Sequence, residues 1–224
     1  MRYILLIITT VFLLFSSCVK RNKKINQAEQ EIINRQDSID KIRNDSLAQN
    51  AWGEAKFGMS IEDVKNTVTF SEAKILKYNE KSDPFSRLLT IIYKSSNEGI
   101  LSINASFFNN RLYRVDIESQ YKTANYFDTQ IQETALRLRR LVVEKYGEPS
   151  RDYGFPNLIK MNPDKEIMAY AWEIGYKTIY IGVDEKYSSS EYRTTCVILH
   201  SKEAEPVDEY FALKNKTVKK ENNF

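Results

Sequence analysis

The alternation of apolar and polar positions divides the chain into stretches with different periods. Ile4 to Phe15 is apolar throughout except for Thr9 and Thr10. From Lys24 to Ala51 there is neither proline nor glycine, and Ile25, Ile32 and Ile39 recur seven apart, with Ala28 and Ile42 offset by three. That spacing predicts a helix with a narrow apolar stripe. Arg35 interrupts the offset row and the main row ends at Ser46, so the repeat is too short for a sustained coiled coil. A single-chain helical stalk is the expectation.

Beyond Trp52 the pattern becomes that of a folded domain. Ser60 is placed to cap a helix over Ile61 to Thr67, with Asp63 three residues on and Glu62 and Asp63 at the positive end of the helix dipole. The period then changes to two in Ala73–Tyr78, Leu88–Tyr93 follows as an apolar run, and the alternation returns in Ile100–Phe108 and Arg111–Glu118. Leu101, Ile103, Ala105 and Phe107 share one face, and Tyr113, Val115 and Ile117 point inward from the return strand. Asn109-Asn110 joins the two as a tight turn, because Asn tolerates positive φ. A second helix is predicted between Tyr126 and Tyr146, where Phe127, Ile131, Ala135, Leu138 and Val142 form the stripe and Leu141 widens it. Gly147 and Pro149 end it. Three more strands follow, Ile167–Ile174, Thr178–Asp184 and Tyr192–His200; Ile179, Ile181 and Val183 share a face of the second.

Helix, about four strands, helix, about three strands is the order of an α+β fold. We expect an antiparallel sheet of about seven strands with two helices packed on one face, preceded by the helical stalk. The domain plan is 1–17 leader, 18–51 tether and stalk, 52–205 globular domain and 206–224 polar C-terminal tail, disordered from Lys214 onward. Two successive helix-and-strand halves suggest a structural duplication, without a residue-level repeat.

The leader sets the address. A positive Arg2, an apolar run of about a dozen residues and small residues after it read as a secretory signal, too short for the roughly 20 residues of a spanning helix. Leu14-Phe15-Ser16-Ser17-Cys18 resembles a bacterial lipobox, which implies acylation of Cys18 and attachment to the membrane through the N-terminal lipid. With 33 basic and 30 acidic side chains, of which only Arg2 leaves with the leader, charge gives no argument for nucleic acid. Lipidation of Cys18 leaves Cys196 alone, so no intrachain disulfide supports the fold. Lys20, Arg21, Lys23 and Lys24 either meet anionic headgroups or form a solvated linker.

Catalytic chemistry has little to work with. His200 is the one histidine, which rules out sites built on two His ligands, and no phosphate loop or metal-ligand spacing appears. We therefore expect no catalytic residue, no metal and no cofactor, with His200 at the surface and Cys196 in packing. Asp116 and Glu118 could pair with Glu173 across a sheet, the arrangement a glycosidase needs, but sequence spacing does not place them. Among 14 tyrosines, those after Tyr146 stand out. Met168, Tyr170 and Trp172 fall on one strand face, which is either core or an open aromatic platform for a glycan or a protein.

Two short motifs carry a family resemblance. Phe57-Gly58-Met59-Ser60 with Asp63-Val64-Lys65, and Lys145-Tyr146-Gly147-Glu148-Pro149, resemble the helix start and stop of small bacterial envelope lipoproteins. Some of these are similar to the outer-membrane assembly lipoprotein (SmpA/OmlA) and β-lactamase-inhibitor-protein modules, which implies a binding unit and not an enzyme. Asp37-Ser38-Ile39 and Asp45-Ser46-Leu47 resemble the O-glycosylation acceptor of Bacteroidetes, making Ser38 and Ser46 either glycosylated or plain helix surface. The basic run after Cys18, opposite in sign to that of surface-exported lipoproteins in that group, implies a domain facing the periplasm from the outer membrane. The expectation is a lipid-anchored binding or scaffold module whose partner is an envelope protein. A glycan-binding lipoprotein is the alternative and a small hydrolase the third reading.

Overall fold

A computed structural model of the chain describes residues 30, 34–36, 38, 41, 44–77, 87–95, 99–163, 165–187 and 189–221. The leader and Cys18 lie outside the described residues, as does much of the expected stalk. The chain divides into one unit of Met1–Asn44 and a second of Asp45–Phe224. In the first, described residues 30, 34–36, 38 and 41 are helical.

The second unit is α+β, built on one large antiparallel sheet. Its strands are β1 (Lys74–Lys77), β2 (Arg87–Ser95), β3 (Gly99–Phe108), β4 (Arg111–Ser119), β5 (Lys122–Thr123), β6 (Arg151–Asp152), β7 (Ile167–Ile174), β8 (Lys177–Lys186) and β9 (Glu191–His200). The helices are α1 (Ile61–Lys65), α2 (Gln132–Tyr146) and α3 (Ser201–Glu221). Seven long strands match the alternating stretches; β5 and β6 are two-residue additions that no period of two can announce.

The sheet order is β1-β2-β3-β4-β9-β8-β7-β6, with β5 also paired to β9. Each half is therefore a helix followed by a four-strand meander, and the last strands of the two meanders, β4 and β9, pair at the centre.

Local chemistry explains the element ends. Ser60 and Asp63 form a reciprocal capping box at α1, and Asn110 Oδ1 accepts the Ile61 N–H at 3.2 Å. Asn109 and Asn110 hold φ of 48° and 61°, which closes the β3–β4 hairpin. A bulge beside Phe107 makes Leu112 the buried residue in place of Tyr113. Phe127, Ile131, Ala135, Leu138 and Val142 are buried as the helical period requires, although Phe127–Ile131 winds as a π-turn before α2 begins. Gly147, at φ 83°, ends α2 and donates its N–H to the Val143 carbonyl at 2.8 Å.

One side of the sheet faces the main core. Val64 of α1 and Leu138 and Val142 of α2 are buried in the same cluster as Ile103, Ile117, Ile181 and Ile198. At the end of β3, Phe107 joins that cluster, while Phe108, turned the other way by strand alternation, meets Tyr210 of α3 with ring centroids 6.0 Å apart.

Two boundaries differ from the domain plan. Residues 45–51, assigned to the stalk, belong to the folded unit, where Ala48 and Ala51 are 2% exposed. The stretch from Ser201, read as polar chain and then a disordered tail, is helix α3. Ala204 and Val207, three apart, are buried, and Glu203 accepts both Nε and Nη2 of Arg111 at 2.9 and 2.8 Å. Two apolar residues and one ion pair were too sparse a signal against the surrounding charge.

Candidate functional site

Strand alternation sends Arg114, Asp116 and Glu118 of β4 to the sheet face opposite α1 and α2, together with Arg193, Thr195 and Val197 of β9 and Thr178, Tyr180 and Asp184 of β8. There they form a ladder of side chains running across the strands. Thr90 Oγ1 donates to Asn104 Oδ1 at 3.0 Å, Asn104 Nδ2 to Glu118 Oε2 at 3.3 Å, and Glu118 meets Arg193 Nη1 at 2.8 Å. Arg193 Nε donates to Asp184 Oδ2 at 3.0 Å, which also accepts the Tyr121 hydroxyl at 2.9 Å. The chain of contacts thus links β2, β3, β4, β9 and β8, and the Arg193 guanidinium lies 4.7 Å from the Tyr121 ring centroid.

A second cluster lies beside it. Arg114 grips Asp116 through Nε at 2.9 Å and Nη2 at 2.6 Å. The Glu166 carboxylate accepts the Thr195 hydroxyl and bonds Tyr180. Gly182 makes room for this: a Cβ there would stand 2.8 Å from the Ile167 carbonyl oxygen and 3.2 Å from Glu166 Oε1.

These surroundings shift the titrating groups. Burial raises the pKa of Glu166, partly offset by the Thr195 bond, and the charge of Asp184 adds to the rise. Tyr121 is pushed up to about 12, first by burial and then by its bond to Asp184; Tyr180 reaches about 12 through burial and the charge of Glu166. For Arg193, burial works toward neutrality, but the charges of Glu118 and Tyr121 and the bond to Asp184 outweigh it and keep the guanidinium cationic. Among the described residues no buried side-chain nitrogen or oxygen lacks a hydrogen-bond partner. The two clusters together hold four carboxylates (Asp116, Glu118, Glu166, Asp184) against two guanidinium groups (Arg114, Arg193).

The residues singled out in the sequence are placed differently. Met168, Tyr170 and Trp172 do not form an open platform. A bulge between Met168 and Tyr170 puts Met168 opposite Gly182, 38% exposed, while Tyr170 and Trp172 turn into the core at 5% and 1%. Arg139 of α2 lies over the Tyr170 ring, its Cζ 5.3 Å from the centroid, and Trp172 Nε1 donates to the Gly147 carbonyl at 2.9 Å. Tyr170 and Trp172 are core, whereas Met168 is not.

His200 is buried, not at the surface; Phe57 and Tyr176 pack on its ring, and its Nδ1 accepts the Glu203 N–H at 3.4 Å. Cys196 is fully buried, and burial pushes its thiol up to about 12, which leaves it protonated. Glu173 pairs with Arg151 at 2.8 Å, apart from Asp116 and Glu118. Ser38 and Ser46 are exposed on helical residues, and the Ser38 hydroxyl donates to the Asn34 carbonyl at 2.8 Å.

Comparison with known protein families, curated proteins and solved structures finds no match to this chain. Among the described residues no group of His, Cys, Asp or Glu is arranged to hold a metal ion, and no helix is long and apolar enough to cross a membrane.

Sequence reasoning missed Lys177. It heads the inward row Lys177, Ile179, Ile181, Val183 and is 1% exposed. Its ammonium donates to the Leu47 carbonyl and, at 3.2 Å, to that of Asn50, and lies 4.0 Å from the Tyr146 ring centroid. The accepting carbonyls lie at the C-terminal end of the helical stretch 45–49, where the negative end of the helix dipole suits a cation. Burial, with the nearby charge of Lys145, lowers the Lys177 pKa to about 7. Extending the period of two one step upstream of Ile179 would have found it.

Proposed function

We propose that this chain is a lipid-anchored, non-catalytic binding module of the cell envelope. Cys18 carries the lipid, the domain faces the periplasm from the outer membrane, and an envelope protein binds the polar ladder. The observation that carries this reading is the Thr90–Asn104–Glu118–Arg193–Asp184–Tyr121 chain of contacts. Charges held by one another on a rigid sheet favour recognition, because their geometry is set before a partner arrives. The carboxylate excess selects a partner with a basic patch. The glycan alternative loses support, since the aromatic residues on which it rested are buried.

The test is carried out in the native host, with labelled fatty acid and chemical crosslinking of the full chain. The reading expects label that disappears in Cys18→Ala and a discrete adduct in the outer-membrane fraction that is lost in Glu118→Lys. Absence of label, or an adduct indifferent to Glu118→Lys, overturns it.

A further inference from the structure

A cavity of about 330 Å³ lies where residues 51–53 meet the second half of α2. Ile179 and Ile198 of the sheet, Leu141 and Tyr146 of α2 and Trp52 give it apolar walls. The volume is at the lower end of the roughly 300–1,000 Å³ of ligand pockets, enough for one short alkyl chain and too small for a two-chain lipid. One charged residue lines it, Lys145, which is exposed and whose ammonium rests near the Tyr146 ring.

Lys145 stands beside an aromatic ring at the pocket edge. Lys145 Nζ lies 5.3 Å from the Tyr146 ring centroid, and Lys177 Nζ lies 4.0 Å from the same ring. Burial first, and then the nearby charge of Lys145, lowers the Lys177 pKa to about 7. An apolar pocket with a cation at its edge is complementary to a molecule that has a hydrocarbon tail and an anionic head.

We propose that this cavity binds a medium-chain fatty acid, with the alkyl chain against Trp52, Leu141 and Ile198 and the carboxylate paired with Lys145. A sugar would leave its hydroxyls unpaired against these walls, and a cation would be repelled. The site uses neither the polar ladder nor Cys18, so it stands or falls separately from the proposed function.

Photolabelling of the full chain with a diazirine analogue of decanoic acid, followed by peptide mapping, tests it. The expected result is label on peptides containing Trp52 and Leu141, displaced by decanoate but not by decanol. Lys145→Gln should weaken that displacement on the order of tenfold, the effect of losing one charge-assisted contact. Because Lys145 is exposed, the variant keeps its fold. Label scattered over the surface, or equal competition by decanol and decanoate, overturns the proposal. So does unchanged decanoate displacement in Lys145→Gln.

Discussion

Arg193 joins two strands through one guanidinium: Nη1 meets Glu118 on β4 at 2.8 Å, while Nε holds Asp184 on β8 at 3.0 Å. The three side chains are only 21–25% exposed, so water screens them incompletely. Removing the guanidinium leaves two partly buried carboxylates without the cation they share, and Asp184 is near enough to Glu166 to raise its pKa.

Arg193→Met should therefore lower stability by roughly 1–3 kcal/mol, the range for leaving a partly buried charged partner unsatisfied. Arg193→Lys keeps the charge but not the planar fork that reaches both carboxylates, and should recover part of the loss. Urea unfolding midpoints of the three proteins check the order. Equal midpoints would reduce the ladder to surface decoration.

Trp172→Phe removes the Nε1 bond to the Gly147 carbonyl and part of a fully buried ring. A loss of about 1–3 kcal/mol is expected from the broken bond and the vacated volume together. Thermal denaturation measures it; an unchanged midpoint would contradict the buried placement.

Lys177 gives stability a pH dependence with a definite sign. Its folded pKa of about 7 lies below the roughly 10.4 of an unfolded lysine, so between these values the unfolded chain binds the extra proton. Stability should rise from pH 7 to pH 9, with a slope of up to about 1.4 kcal/mol per unit. His200, lowered mainly by burial, acts in a separate window below about pH 6.5, where acid destabilises the fold. Lys177→Met should flatten the rise between pH 7 and 9 while leaving the acid limb. Denaturation midpoints across this range decide it, and an unchanged alkaline rise in the variant would contradict the assignment.

Asn110 does two things, holding φ at 61° and accepting the Ile61 N–H. Asn110→Gly keeps the backbone conformation and loses the acceptor, whereas Asn110→Ala loses both. Stability should fall in the order Asn, Gly, Ala, with about 1 kcal/mol for the lost acceptor. Calorimetry reads the order; Ala equal to Gly would show that positive φ carries no cost here.

Much of this architecture was legible because it follows single periods. The α2 stripe, the Ser60 cap, the Asn109-Asn110 turn and the Gly147 stop each depend on a few neighbouring residues. Departures arose where a bulge shifted the count by one, turning Met168 away from Tyr170 and exchanging Tyr113 for Leu112. The ladder was hidden for another reason. It depends on β4 pairing with β9 across about 80 residues of sequence, a long-range choice that no local pattern encodes. Glu118 and Arg193 each looked like ordinary strand surface until that pairing brought them together.

The central claim concerns which side of the sheet meets a partner, and site-specific photo-crosslinking in the native host addresses it most directly. A photoreactive residue at Ile92, 63% exposed on the ladder face, is compared with one at Leu136, 41% exposed on α2. A discrete adduct from position 92 but not from 136, lost in Glu118→Lys, is the predicted result. An adduct from position 136 with none from 92 would contradict the account and move the partner to the helical side.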